Sequence, residues 1–273
     1  MRYLLSVLAL ITGFAWSNEV RADDLPVDVE LMLAVDVSYS MSAGEQEIQR
    51  QGYAAALRDP DVFAAIQTGY HQRVALTYIE WSGVSAQRTV VPWTLIDTPD
   101  DLAAFAAALT TSPPVILRRT SISALLDYAP GSFAVNGFVG ERRVIDVSGD
   151  GPNNIGGPIE AARDALVASG FVINGLPLMT REGAGQRFHL DDLDLYYAEC
   201  VIGGPLSFSI PVRTWQEFPS AVRRKLVLEL AGHVPPDLAV TPTAWSGVRE
   251  KGYDCLIGEK IWEQFYRPDQ VLP

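Results

Sequence analysis

Residues 30–47 read ELMLAVDVSYSMSAGEQE, and the way this run ends decides the fold. Leu31 to Val35 are apolar at successive positions, so both faces of the strand must be covered, as in a parallel sheet flanked by helices. The strand then delivers Asp36, Ser38 and Ser40 at every second position before AGEQEIQ opens a helical pattern. A period of two puts alternate residues on one side. Residues 36, 38 and 40 are therefore expected to point one way, with Val37 and Tyr39 turned towards the protein. In an open α/β sheet, the carboxyl ends of strands are where ligands bind.

Outward from this stretch, strand and helix signals alternate. AGEQEIQRQGYAAALRDPDVFAAIQ (43–67) has helical spacing broken near Pro60. RVALTYIEWS (73–82) and QRTVVPWTLI (87–96), joined by a short turn around Gly83, predict a hairpin and hence one antiparallel strand. DTPDDLAAFAAALTTS is a capped helix with an acidic first turn, and SISALLDYA opens another just after Thr120. RRVIDVSGDG is a strand, GGPIEAARDALVASG a helix and FVINGLPLM a further strand. LDDLDLYYAECV is expected to be helical, LSFSIPV to be a strand, and TWQEFPSAVRRKLVLELAG to be a long amphipathic helix. The alternation predicts an α/β, Rossmann-like doubly wound fold. Its central sheet is mostly parallel with one antiparallel edge strand, and helices lie on both faces.

The 273 residues are 48% hydrophobic and 20% charged, with a formal net charge of -12. That acidity argues against nucleic acid or an anionic membrane surface as partner, because phosphate binding needs a basic face. Residues 1–22 read as an export signal: Arg2, the apolar YLLSVLALITGFAW, and VRA before Asp23. Its apolar stretch is short for a membrane span, with an uncleaved N-terminal anchor as the alternative, and no integral membrane segment is expected after its removal. A periplasmic or secreted location follows. In an oxidising compartment an even cysteine count favours a Cys200–Cys255 disulfide, with two buried free thiols as the alternative. Residues 23–232 are read as one domain, and 233–273 as a tail packed on it.

Two oxygen-rich strand ends, Asp36-Val-Ser38-Tyr-Ser40 and Ser148-Gly-Asp150, are joined by Thr120 entering a helix between them. Hydroxyls and carboxylates without His or Cys suit Mg2+, Mn2+ or Ca2+ and fit Zn2+ poorly. Asp-x-Ser-x-Ser, the later Thr and the later Asp are similar to the metal-ion-dependent adhesion site of von Willebrand factor A domains. LAVDVSYSM, RRVIDVSGDGPNN, YYAECVIGGP and RRKLVLELAG further resemble a family of exported bacterial proteins of unknown function built on that domain. The resemblance covers roughly residues 27–232. It implies that Ser38, Ser40 and Thr120 hold the metal through hydroxyl oxygens, with Asp36 and Asp150 set slightly back. It also implies binding chemistry, in which the metal engages a carboxylate offered by a protein partner. The Arg118-Arg119-Thr120 flank departs from the Gly that commonly precedes this Thr.

An EF-hand loop over residues 36–47 would need Gly where Met41 stands. Capping of the next helix accounts for Ser and Asp near a strand end but leaves Thr120 and Asp150 aside. A metal-dependent hydrolase or a vestigial structural site are the alternatives, yet no nucleophile elbow or phosphate-cradling loop is present, and a non-enzymatic role is expected. Asp146 is expected to be a buried, hydrogen-bonded acid. Asn153 and Asn154 are explained by turn chemistry, Asp191, Asp192 and Asp194 by an acidic helix start, and Tyr196, Tyr197, Trp215 and Phe218 by the core.

Overall fold

The computed structural model describes residues 24–111, 113–115, 117–180, 189–231 and 252–266. The expected export signal and residues 233–251 and 267–273 of the expected tail lie outside the described residues. The strands are β1 (Leu25–Asp36), β2 (Val74–Trp81), β3 (Gln87–Ile96), β4 (Phe138–Gly149) and β5 (Phe171–Pro177). They form one sheet in the order β3-β2-β1-β4-β5. β1 pairs in parallel with β2 and β4, and β4 with β5. β3 is antiparallel to β2 and lies at the edge, as the hairpin signal predicts.

Around the sheet are α1 (Ala43–Leu57), α2 (Pro60–Ile66), α3 (Pro99–Ala108), α4 (Ile122–Phe133), α5 (Ile159–Ala168), α6 (Leu193–Tyr196), α7 (Phe218–Leu230) and α8 (Ile257–Tyr266). The unbroken apolar run of β1 is explained by two cores. Val29, Leu31, Leu33 and Val35 pack with Tyr53 and Leu57 of α1 and Phe218 and Leu226 of α7. Met32 and Ala34 pack on the opposite face with Leu125 and Leu126 of α4 and Ile159 and Leu166 of α5. Each Val, Leu or Met side chain removed from water contributes about 1.5–3 kcal/mol, so the central strand anchors both layers. α1 and α7 meet closely because Gly52 leaves room for the Phe218 ring: a Cβ there would lie 2.4 Å from it.

Starting from β1, the chain builds the sheet outward through β2 and β3, then returns to the other side of β1 with β4 and β5. The direction of winding therefore switches between β1 and β4. Their carboxyl ends flank the crevice in which ligands of such sheets bind.

One expectation needs correction. Residues 206–212 are not a regular strand; they run beside β5 through isolated bridges, Gly175 with Ser209 and Leu178 with Val212. Ile210 and Val212 donate to the Gly175 and Pro177 carbonyls, but Pro177 has no N–H to return to this segment, so the ladder is interrupted. The helix expected over 190–201 forms over 193–201, as α6 continued by a π-helical turn, Tyr197–Val201. That turn presents the buried Cys200 to Cys255, and the two are joined by the expected disulfide.

Candidate metal centre

The end of β1 carries the first part of the site. Asp36 is fully buried and its Oδ1 accepts the Ser38 N–H at 2.7 Å. The Ser38 and Ser40 hydroxyls lie 3.0 Å apart, and Ser40 Oγ donates to Asp150 Oδ1 at 2.7 Å. The fold thus joins two loops separated by 110 positions in the chain. Helix capping does not account for these hydroxyls. α1 is capped by Ser42, whose Oγ accepts the Glu45 N–H while the Glu45 carboxylate accepts the Ser42 N–H.

The side-chain alternation expected here stops at Ser38. Val37 is buried, but Tyr39 is 63% exposed and points to solvent. The reason is a turn: the Met41 N–H donates to the Ser38 carbonyl, and Met41 takes the buried place expected of Tyr39.

Thr120 enters through its backbone. Leu117 forms a parallel bridge with Ser38, and the Ser121 N–H donates to the Ser82 carbonyl at the end of β2. On the other side, Thr120 N–H donates to Asn154 Oδ1 at 3.1 Å and its carbonyl accepts the Asn154 N–H at 2.9 Å. The segment carrying the buried Thr120 is therefore stitched to both the Ser38 loop and the loop after Asp150. Ser121 caps α4, which begins directly behind it. The residue before Thr120 is left-handed, with Arg119 at φ 73°. A glycine would adopt that conformation without strain. Here the guanidinium of Arg119 instead stacks over the Trp262 ring of α8, 3.4 Å from its centroid, while Arg118 is exposed.

Three residues read as turn or core have more to do. Asn153 is fully buried, accepts the Ser123 N–H on Oδ1 and donates from Nδ2 to the Gly157 carbonyl and Glu259. Asn154 aligns Thr120 through the paired bonds above. Tyr197 sits in the core, but its hydroxyl reaches the site: a Cβ on Gly149 would meet Tyr197 Oη at 2.9 Å and Asp36 Oδ2 at 3.1 Å. Turn-rich composition is the one signal that draws attention to the asparagines. Nothing in the spacing marks Tyr197.

The electrostatics leave negative charge without a counter-charge. Asp36 Oδ2, Tyr197 Oη and Ser148 Oγ are buried and have no hydrogen-bond partner. Burial, and then the charge of Asp150, push the Asp36 carboxyl well above the usual carboxylate range. Burial pushes Asp150 up to about 6, with the Ser40 hydrogen bond opposing and the Glu45 charge adding to the rise. Burial, followed by Asp36, raises the Tyr197 hydroxyl in the same way.

Among the described residues, no group of three or more His, Cys, Asp and Glu side chains could hold a metal, so a cation here would rest on hydroxyls as well as on Asp36 and Asp150. Asp192 instead accepts the Tyr253 hydroxyl and Asp194 pairs with Arg213. As expected, Asp146 is a buried acid; Lys225 Nζ lies 2.9 Å from its Oδ1.

Comparison with solved structures places this architecture. Proximal thread matrix protein 1 from the mussel byssus, with a zinc-occupied MIDAS motif, superposes with a TM-score of 0.53 at 17% identity, covering 77% of this chain and 50% of that one. The pilus adhesin SpaC from Lactobacillus rhamnosus GG gives 0.52 at 12% identity over 75% of this chain and 30% of that one. A von Willebrand factor type A protein from Catenulispora acidiphila gives 0.51 at 13% identity, covering 75% and 43%. The chain thus spans half the length of these structures or less. No curated protein matches it. A family model described as "Protein of unknown function (DUF1194)" matches residues 26–234. The chain therefore belongs to this family of unknown function, and its fold is that of the von Willebrand factor type A domain.

Proposed function

We propose that this chain is an extracytoplasmic protein-binding module of the adhesion type that depends on a divalent cation. Ser38, Ser40 and Thr120 would hold the ion through hydroxyl oxygens, with Asp36 and Asp150 behind them. When bound, the ion supplies an electrophilic centre for a carboxylate of a protein partner. The observation that carries this is Asp36: a buried carboxylate whose Oδ2 has no partner, beside a second raised acid. An uncompensated buried charge costs several kcal/mol, so the pair either stays protonated or takes a cation. Ser40 keeps the two loops in register through Asp150, and the exposed Tyr39 and Arg118 flank the crevice as a contact surface.

The oxygen-only donor set favours Mg2+, Mn2+ or Ca2+, and the zinc in the mussel protein makes Zn2+ a necessary comparison. Residues 1–22 would act as the export signal, residues 23–232 as the domain, and 233–273 as its tail. No helix among the described residues is long and apolar enough to cross a membrane, and the disulfide suits an oxidising compartment.

Thermal melts after chelation and re-addition of each ion test the proposal. At an ion concentration about 100 times Kd, the cation should add about 2.7 kcal/mol of stability. Ser38→Ala and Asp150→Ala should lose that response while keeping the circular dichroism of the fold. A wild-type protein indifferent to all four ions, or variants that keep the response, would overturn it. A pull-down from the exported fraction, with and without chelator, then identifies the partner.

A further inference from the structure

We infer that α8 is a brace for this site: Trp262 and Glu259 act as positioning residues that hold the segments carrying Thr120 and Asp150, and the Cys200–Cys255 disulfide keeps the brace in place. The inference rests on the cation site proposed above and assigns part of its framework to the C-terminal end of the chain.

Each segment is gripped by one α8 residue. Trp262 lies under the Arg119 guanidinium, directly before Thr120. Glu259 Oε1 accepts from Asn153 Nδ2 at 2.7 Å, three residues after Asp150. Beside the Glu259 contact the backbones touch: a Cβ on Gly258 would lie 2.0 Å from the Asn153 carbonyl oxygen, so only glycine allows this approach. α8 is thus seated on the rim of the crevice, where the two loops meet.

Both gripped residues need holding. Arg119 has φ 73°, a conformation that side-chain-bearing residues rarely adopt, and the peptide it shares with Thr120 sets where Thr120 lies. The Ser82 hydroxyl steadies this backbone from below by bonding to the Arg118 and Arg119 carbonyls. Stacking on Trp262 steadies the side chain from above, through cation–π attraction. Asn153 is fully buried and links the Asp150 loop to the first turn of α4. Losing Glu259 removes one acceptor from its amide. The tether is short: Cys255 lies two residues before α8 and is bonded to Cys200, in the same turn as Tyr197, whose hydroxyl approaches Asp36. α8 belongs to the same chain and docks intramolecularly in any case; the disulfide shortens its tether and so raises its effective concentration.

The test titrates the full chain with Mn2+ by calorimetry and follows amide hydrogen exchange of residues 117–121 and 150–157 without metal. Trp262→Ala, Glu259→Ala and the double change Cys200→Ser/Cys255→Ser should each weaken Mn2+ roughly ten-fold or more, as loss of supporting partners does. Exchange in the two segments should quicken. Glu259→Gln, which keeps the acceptor, should restore wild-type affinity. Arg119→Gly combined with Trp262→Ala should also bind as wild type, because glycine holds the left-handed conformation unaided. Unchanged affinity and exchange in Trp262→Ala and Glu259→Ala would overturn the inference. A double variant as weak as Trp262→Ala would overturn the route through Arg119. If the wild type binds no ion, the proposed function fails, and the exchange measurement alone decides whether α8 braces the loops.

Discussion

Asp36 and Asp146 sit on neighbouring strands, both buried, and the fold treats them oppositely. Asp146 faces α7, where the buried Lys225 stands 2.9 Å from its Oδ1 and also pairs with Glu229. Glu229 in turn accepts from Asn174 Nδ2, whose Oδ1 accepts the Phe208 N–H. Across the sheet, Glu80 is clamped in the same manner between Arg50 and Arg88. At these interior positions the chain supplies its own cations. Asp36, at the carboxyl end of β1, faces hydroxyls, a tyrosine and a second acid instead. Buried charge is compensated internally where it ties helices to the sheet, and left open at the crevice where an ion can enter.

The sharpest way to break this contrast is Lys225→Met. It leaves Asp146 and Glu229 buried without a cation and should cost about 3–5 kcal/mol in urea unfolding. A loss under about 1 kcal/mol would mean that Lys225 is not their counter-charge.

The next effect is pH dependence. Burial raises Asp146 to about 7, with Lys225 opposing and Glu229 adding. Between the unfolded carboxylate value and this one, the folded state binds more protons than the unfolded state. Stability should therefore fall as pH rises from about 4 to about 7, by up to a few kcal/mol. Asp146→Asn should flatten that slope. A slope equal to that of the wild type would remove Asp146 as its source.

The smallest effect sharpens the other side of the comparison. Asp36→Asn removes charge that the metal-free fold does not compensate, so unfolding without metal should show a gain of about 1–2 kcal/mol. The cation-induced stabilisation should disappear in the same variant. Destabilisation of the metal-free protein would show that Asp36 is held by partners that the contrast denies it.

Much of this could be read along the chain. The alternation of strands and helices, the β2–β3 hairpin, the α1–α2 break at Asp59-Pro60 and the caps at Ser42, Thr98 and Ser121 are all local. So is the delivery of Asp36, Ser38 and Asp150 to strand ends. Two readings failed: Tyr39 follows a local turn instead of the strand period, and residues 206–212 are β-rich without forming a ladder.

Residue order thus determined which elements form and which ends carry oxygen, because backbone periodicity and turn chemistry depend on near neighbours. Tertiary structure alone decided which acids receive a counter-charge and which residues hold the loops. Lys225 reaches Asp146 from another layer, and Glu259 reaches Asn153 across 106 positions of chain. Hydroxyls, amides and rings have no preferred partner until folding excludes water and brings distant segments within hydrogen-bonding distance.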